Sequence, residues 1–360
     1  MRRTATTFNL LPEFNIMQTT RSLTILCLAA LLAVPTAWAQ PHPETAPYAP
    51  AMLAGAFPAP PTGAGPGKIA VVTPAGQAHS VAFGQAGSPS GNSFYIAVDP
   101  VAHRLFVPTN VGTTYVLNTR TWKVERSFPS IAGGRVAKVS KRLGLLLVLS
   151  GRELAAYGLV DGTLRYTVPF GGNALAFGPH DAHLYVGGNM DNSIADVDSA
   201  TGRMLRRIPV AHSGDLAWAD GWLFSADIRN GVMTAVDPQD NRIVEMATPE
   251  VDPAFRYDRI PAATAGFMQL AVSPGGRTVY AAGFSGHVLR FSAHEPAYLG
   301  EVKLAVPSPA KLSGLTLIDG GHQAVVTVEN RKEAVRFDLS SGKVLQRFAD
   351  ISSNRWVAMQ

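Results

Sequence analysis

The feature that most constrains this chain is a repeat of about forty residues. Tyr95-Ile-Ala-Val-Asp-Pro, His103-Arg-Leu-Phe-Val, Thr113-Thr-Tyr-Val-Leu and Thr121-Trp-Lys-Val-Glu-Arg-Ser-Phe are four short β-type runs separated by turn residues. The series returns as Ala174-Leu-Ala-Phe-Gly-Pro, His183-Leu-Tyr-Val, Ser193-Ile-Ala-Asp-Val-Asp and Gly202-Arg-Met-Leu-Arg-Arg-Ile-Pro. It returns again from Gln269-Leu-Ala-Val-Ser-Pro-Gly-Gly, and weaker copies begin near Arg135, Gly214 and Gly314. The turn after the first run falls at Asp99, Ser140, Pro179, Asp220, Pro274 and Asp319, spaced by 41, 39, 41, 54 and 45. Four strands at this period is the signature of a propeller blade. A lone blade has two apolar faces, and only a ring gives every blade a neighbour on both.

The expected fold is therefore an all-β β-propeller over residues 67–360. Six copies lie between about 94 and 350. Asn354-Arg-Trp-Val-Ala-Met reads as a further first strand, and Lys68-Ile-Ala-Val-Val and His79-Ser-Val-Ala-Phe read as later strands. Joining the two ends predicts a ring of seven four-stranded blades, the composite one at risk of having only three strands; six blades with frayed ends is the alternative. Composition agrees with many short strands. The 34 glycines and 26 prolines supply turns, and only 16% of residues are charged, below the roughly 25% of an average protein.

The repeats resemble the YVTN family of β-propellers, most closely from Leu184-Tyr-Val-Gly-Gly-Asn-Met-Asp-Asn-Ser-Ile-Ala-Asp-Val-Asp-Ser-Ala-Thr-Gly-Arg. Val116-Leu-Asn-Thr-Arg-Thr and Phe337-Asp-Leu-Ser-Ser-Gly-Lys repeat the turn more loosely. The resemblance departs in 137–172, where Gly151-Arg-Glu-Leu shortens a loop, and after Thr248. It implies an exported binding or scaffold propeller, and it fixes no chemistry, because one fold hosts many functions.

The N-terminal stretch reads as export machinery. From a start at Met17, Arg21 gives a positive n-region, Leu23 to Val34 an apolar run of 12, and Ala37-Trp38-Ala39 a cleavage site before Gln40. A helix of 12 residues falls well short of a hydrocarbon core of about 30 Å. Residues 1–39 are thus expected to be removed, leaving a periplasmic or secreted chain with no membrane span. Pro/Ala/Gly-rich residues 40–66 are expected to form a disordered lead-in. Cys27 is the single cysteine and leaves with the signal, which excludes disulfides, thiol catalysis, iron–sulfur clusters and haem attachment through a Cys pair. Cleavage leaves 28 basic against 25 acidic residues with no basic block, so no nucleic-acid partner is expected.

Catalytic motifs are missing. Gly283-Phe-Ser-Gly-His misses a nucleophile elbow by one position and lacks the strand-to-helix turn. His180 and His183 fall in a turn with no third ligand, and Asp198 occupies an Asx-type turn, so no metal is expected. No cofactor is expected. Tyr185, Tyr280, Phe106 and Phe224 recur in the second strand as interblade core. One asymmetry stands out: an insertion at Pro249-Glu-Val-Asp-Pro-Ala-Phe-Arg-Tyr-Asp-Arg-Ile-Pro261.

Propeller register places loops before first strands and loops between second and third strands on one face, around the channel mouth. Arg135, His212, Asp215, Arg229, Arg256, Tyr257, Arg259, His287, Lys311, Arg331 and Arg355 gather there as ligand-binding candidates. A cationic mouth suits a small anionic ligand or a periplasmic partner protein. The reading is a monomeric, non-enzymatic binding scaffold. The alternatives are a lactonase-like hydrolase using His212, Asp215, His287 and Lys311, and an accessory subunit of a periplasmic quinoprotein or haem dehydrogenase.

Overall fold

The computed structural model describes residues 52–56, 66–73, 75–84, 91–188, 191–227, 231–248, 267–308, 310–351, 353 and 355–359. The signal segment and the 249–261 insertion lie outside the described residues.

Near the N-terminus come β1 (Met52–Ala56), β2 (Gly67–Val72) and β3 (Ala78–Phe83). Blade 1 follows with β4 (Ala97–Asp99), β5 (Arg104–Pro108), β6 (Thr113–Asn118) and β7 (Val124–Pro129). Blade 2 holds β8 (Val136–Ser140), β9 (Leu145–Leu149), β10 (Leu154–Gly158) and β11 (Leu164–Val168). Blade 3 holds β12 (Ala174–Phe177), β13 (His183–Gly187), β14 (Ile194–Asp198) and β15 (Met204–Ile208). Blade 4 holds β16 (Ser213–Ala219), β17 (Trp222–Asp227), β18 (Val232–Asp237) and β19 (Arg242–Ala247). Blade 5 holds β20 (Phe267–Val272), β21 (Thr278–Gly283), β22 (His287–Ser292) and β23 (Ala297–Lys303). Blade 6 holds β24 (Leu312–Ile318), β25 (Gln323–Val328), β26 (Glu333–Asp338) and β27 (Val344–Ala349), and β28 (Trp356–Met359) ends the chain.

The expectation of seven four-stranded blades, the last closed by the chain ends, is corrected to six blades; a separate four-stranded sheet joins the two ends, ordered β28-β1-β2-β3. Its risk of three strands is corrected as well. Met52–Ala56, inside the expected lead-in, is a strand paired with β2 on one side and β28 on the other. Five Ala/Gly-rich residues carry little strand propensity of their own; both ladders together make this segment a strand. Gly55 is required there, because a Cβ would lie 2.4 Å from the Ser353 side chain and 3.0 Å from the Trp356 ring.

First strands β4, β8, β12, β16, β20 and β24 touch in succession, and β28 touches β24 on one side and β4 on the other. The core lies between sheets. Phe106 and Val116 of blade 1 pack with Leu146, Val148 and Tyr157 of blade 2. Phe224 of blade 4 packs with Phe267 and Phe291 of blade 5. The composite sheet is held likewise, Ile69 and Val71 against Leu105 and Leu117 of blade 1, and Ala70 and Val72 against Val325 and Phe348 of blade 6.

Burial follows strand position, which explains the composition. β9, Leu-Leu-Leu-Val-Leu, is buried at every residue, because a middle strand is covered by a blade on each face. Fourth strand β7, Val-Glu-Arg-Ser-Phe-Pro, buries only Phe128 and puts charge on a sheet edge, where charge discourages pairing with other chains. Turns between third and fourth strands repeat one device. Asp198 Oδ1 accepts the Ala200 and Thr201 N–H groups, as Asp338 does from Ser340 and Ser341. The Ser340 and Ser341 hydroxyls, with these N–H groups, hold the Asp338 carboxyl at about 2.

Candidate functional site

The first strands line the channel, and one rank of their residues crosses it. Tyr95, Asp215, Gln269, Gly314 and Arg355 each stand two residues before Ala97, Ala217, Ala271, Thr316 and Val357. Those five pair with the equivalent second-strand residues Phe106, Phe224, Tyr280, Val325 and Ala54. At this rank Arg355 Nη1 reaches Asp215 Oδ2 at 2.8 Å, joining the composite sheet to blade 4. The same carboxylate oxygen accepts the Leu270 N–H at 2.9 Å. Gln269 Nε2 donates to the Tyr95 hydroxyl at 3.1 Å, joining blade 5 to blade 1, and Gln269 Oε1 accepts the Gly314 N–H at 2.8 Å. The Arg355 guanidinium lies over the Tyr95 ring at 5.2 Å. Two cross-channel links therefore brace one level of the ring.

Asp215 is 2% exposed and the Arg355 side chain 13%, so this ion pair sits in a low-dielectric environment. Burial opposes the Arg355 charge, but Asp215 and Tyr95 outweigh it and hold the guanidinium more firmly protonated than usual.

Lys138 of β8 is half-buried and feels the charges of this pair. Burial, aided by the Arg355 charge and opposed by Asp215, draws its ammonium down to about 8.

The mouth face carries a cleft of about 610 Å³ between blades 2 and 3. The segments before β8 and β12, loop 150–153, and Gly188 and Asp191 after β13 build it. Arg135, Arg152, Glu153, Asn173 and Asp191 supply its polar groups. Arg135 Nη1 donates to Asn173 Oδ1 at 3.2 Å, bridging the two blades. Ser150 shapes the shorter loop: its Oγ accepts the Arg152 and Glu153 N–H groups and donates to the Glu153 carbonyl. Glycine sets the wall, since a Cβ on Gly172 would lie 2.2 Å from the Gly187 carbonyl oxygen.

The expected mouth residues are distributed among these settings. Arg135 lines the cleft, and the His212 N–H donates to the Asp191 carbonyl at 2.8 Å beside it. Asp215 and Arg355 form the channel brace. His287 Nδ1 meets Glu301 Oε2 at 2.9 Å, while Lys311 pairs with Glu329 and lies 5.2 Å from the Phe284 ring centre. Arg331 is exposed in a 3-10 turn over Glu329–Arg331. Arg229, Arg256, Tyr257 and Arg259 lie outside the described residues. The four candidates for hydrolysis thus have separate partners in place of a shared centre.

His183 Nδ1 lies 2.7 Å from Asp196 Oδ1, and His180 is in a turn with φ of 53°. No cluster of three or more metal-ligating side chains occurs among the described residues.

Tyr95, Lys138, Gln269 and Arg152 were not singled out from the sequence. A signal for the channel residues was present. Polar side chains that recur at one rank of an otherwise apolar first strand must face something other than a neighbouring blade.

No family model matches the chain, and no curated protein matches it. The YVTN resemblance therefore rests on the repeat residues alone. Among solved structures, the chain is similar to Kuenenia stuttgartiensis Hydrazine Synthase, with a TM-score of 0.62 at 12% identity. The match covers 73% of this chain and 88% of that one. Identity this low shows a shared β-propeller fold.

Proposed function

We propose that this protein is an exported, non-enzymatic β-propeller that binds a small polar ligand carrying a carboxylate in the mouth cleft between blades 2 and 3. The observation that carries the reading is the cleft itself: about 610 Å³, within the usual size of ligand sites, with two guanidinium groups on its rim. The Arg152 side chain is exposed and makes no hydrogen bond or ion pair among the described residues, so its charge is available to a ligand. Arginine offers a planar fork that matches a carboxylate. Glu153 and Asp191 supply acceptors for hydroxyl groups, which favours a sugar acid over a bare anion. Binding is favoured over catalysis because Ser150, the one hydroxyl among the described lining residues, is committed to its own loop. Export is supported by the n-region, apolar run and Ala37-Trp38-Ala39 site of the sequence.

A thermal-shift series with hexuronic and aldonic acids tests the reading. At least one acid sugar should raise the melting temperature of the wild type, and Arg135→Ala with Arg152→Ala should abolish the rise. A panel with no effect, or a rise that persists in the double variant, overturns the site. N-terminal sequencing of periplasmic material should begin at Gln40, and an intact N-terminus there overturns cleavage.

A further inference from the structure

The face opposite the mouth carries an apolar asymmetry. Turns between first and second strands, and between third and fourth strands, lie on that face. Val160 and Val101, at 77% and 72%, are the most exposed large apolar side chains among the described residues, followed by Leu164 at 56%. All three lie there, in turns and a strand start of blades 1 and 2. Strand pairing identifies the equivalent turn positions of other blades. Val101 stands where blades 2, 3, 5 and 6 have Arg142, His180, Gly275 and Gly320. Val160 stands where blades 1, 3, 4, 5 and 6 have Arg120, Ala200, Gln239, His294 and Ser340. One exposed valine needs no explanation. Two on neighbouring turns, at positions that the other blades fill with polar or small residues, do.

Hydrogen bonds and one ion pair tie these turns together. The Thr119 N–H donates to the His103 carbonyl and the Leu159 N–H to the Gly144 carbonyl, both at 2.8 Å. Lys141 of blade 2 reaches Asp99 of blade 1 at 3.9 Å. Asp99 Oδ1 also accepts the Val101 and Ala102 N–H groups at 3.2 Å, which fixes the turn that presents Val101. Arg120, Lys123, Lys141 and Arg142 are exposed cations on the same turns. Arg120 Nη2 lies 2.6 Å from His103 Nε2 and Arg142 donates to the His180 carbonyl, so neither charge is met by a carboxylate there. The exposed carboxylate of Asp161 is held by Arg165 at 2.7 Å. Trp122 adds a half-buried indole next to Lys123. On the same face, the turns of blades 4 and 5 present Asp220, Asp240 and Glu295 with Arg277, and no exposed large apolar tip.

We propose that blades 1 and 2 dock this face on an anionic membrane surface, with Val101 and Val160 entering the acyl boundary and the four cations at the headgroups. Charge complementarity selects the occupant. A protein partner is matched by a continuous apolar patch or recess. Separate aliphatic tips flanked by cations without carboxylate partners suit a soft, negatively charged surface over an apolar interior. An indole is favoured at such a boundary, where one side is apolar and the other wet. Two short side chains make the attachment shallow and reversible. The acidic turns of blades 4 and 5 are repelled by the same headgroups and tilt the ring away on that side. The mouth cleft lies on the opposite face, so docking leaves it open and stands whether or not it binds a sugar acid.

Co-sedimentation of the full chain with lipid vesicles tests the proposal, every variant keeping the same N-terminus so that its contribution cancels. Partition into phosphatidylglycerol–phosphatidylethanolamine vesicles should exceed that into phosphatidylcholine vesicles by at least about tenfold at low salt. Val101→Asp with Val160→Asp should lower the anionic partition by about tenfold or more, since both apolar insertions are lost. Arg120→Ala with Lys123→Ala should lower it by roughly fivefold per charge removed. Val111→Asp, at an exposed apolar turn of the mouth face, should bind as the wild type does. All these positions are on turns, and unchanged melting temperatures should show that each variant is folded. A wild type that anionic vesicles leave in the supernatant overturns the proposal. So does equal partition into the two vesicle types, or undiminished binding by Val101→Asp with Val160→Asp. A cross-linked dimer that this double variant abolishes assigns the face to a second copy of the chain, and overturns the membrane reading as well.

Discussion

The channel brace and the mouth cleft are built from the same residue types in opposite settings. In the channel, Arg355 and Asp215 are buried and bonded to each other, and Leu270 completes the carboxylate. At the mouth, Arg135 shares one hydrogen bond with Asn173, and Arg152 extends to solvent. A buried pair has spent its bonding capacity on the fold, and breaking it strands a charge. An exposed arginine contributes little to stability and keeps its capacity for a ligand. What separates the two arginine settings is satisfaction and burial, with residue identity secondary.

Four measurements sharpen that contrast. The largest effect is expected from Asp215→Ala, which leaves Arg355 unpaired in the channel. Urea denaturation should show a loss of about 3–5 kcal/mol. Next is Gly172→Ala in the cleft wall, where the new Cβ meets a carbonyl at 2.2 Å. Forcing that contact apart should cost about 1–3 kcal/mol and abolish cleft binding while leaving the Lys138 titration unchanged.

A smaller effect is expected from Lys138. Its ammonium titrates near 8 in the folded chain against an ordinary 10.5. Between those values the unfolded chain binds more protons, so this group makes stability rise with pH. Below pH 8 both states are protonated and the penalty stands in full. Denaturation of the wild type against Lys138→Met should show this rise only in the wild type. The smallest change belongs to the arginine pair of the cleft. Arg135→Ala with Arg152→Ala should alter stability by no more than about 0.5 kcal/mol per site while removing ligand binding. A loss comparable to that of Asp215→Ala would erase the contrast.

Much of the architecture was legible because it is repeated. Spacing of the turn marks located six sets of four strands, and second-strand aromatics such as Phe106, Tyr185 and Phe224 are interblade core as their recurrence implied. The strand at Met52–Ala56 was not legible. Its residues carry no strand pattern, and the partners that hold it, β2 and β28, come from opposite ends of the chain. Arg135 was found as a mouth residue from loop register, and Asp215 and Arg355 were placed near the channel for the same reason. Their mutual pairing was hidden, since 140 residues separate them in sequence.

The sequence by itself determined the blade. Local alternation, turn chemistry and the forty-residue period are properties of neighbouring residues, and they need no knowledge of the ring. The tertiary structure decided which charges became braces and which stayed open. That choice depends on what the closed ring brings face to face across the channel, where burial makes an unpaired charge costly, and on what it leaves in water at the mouth.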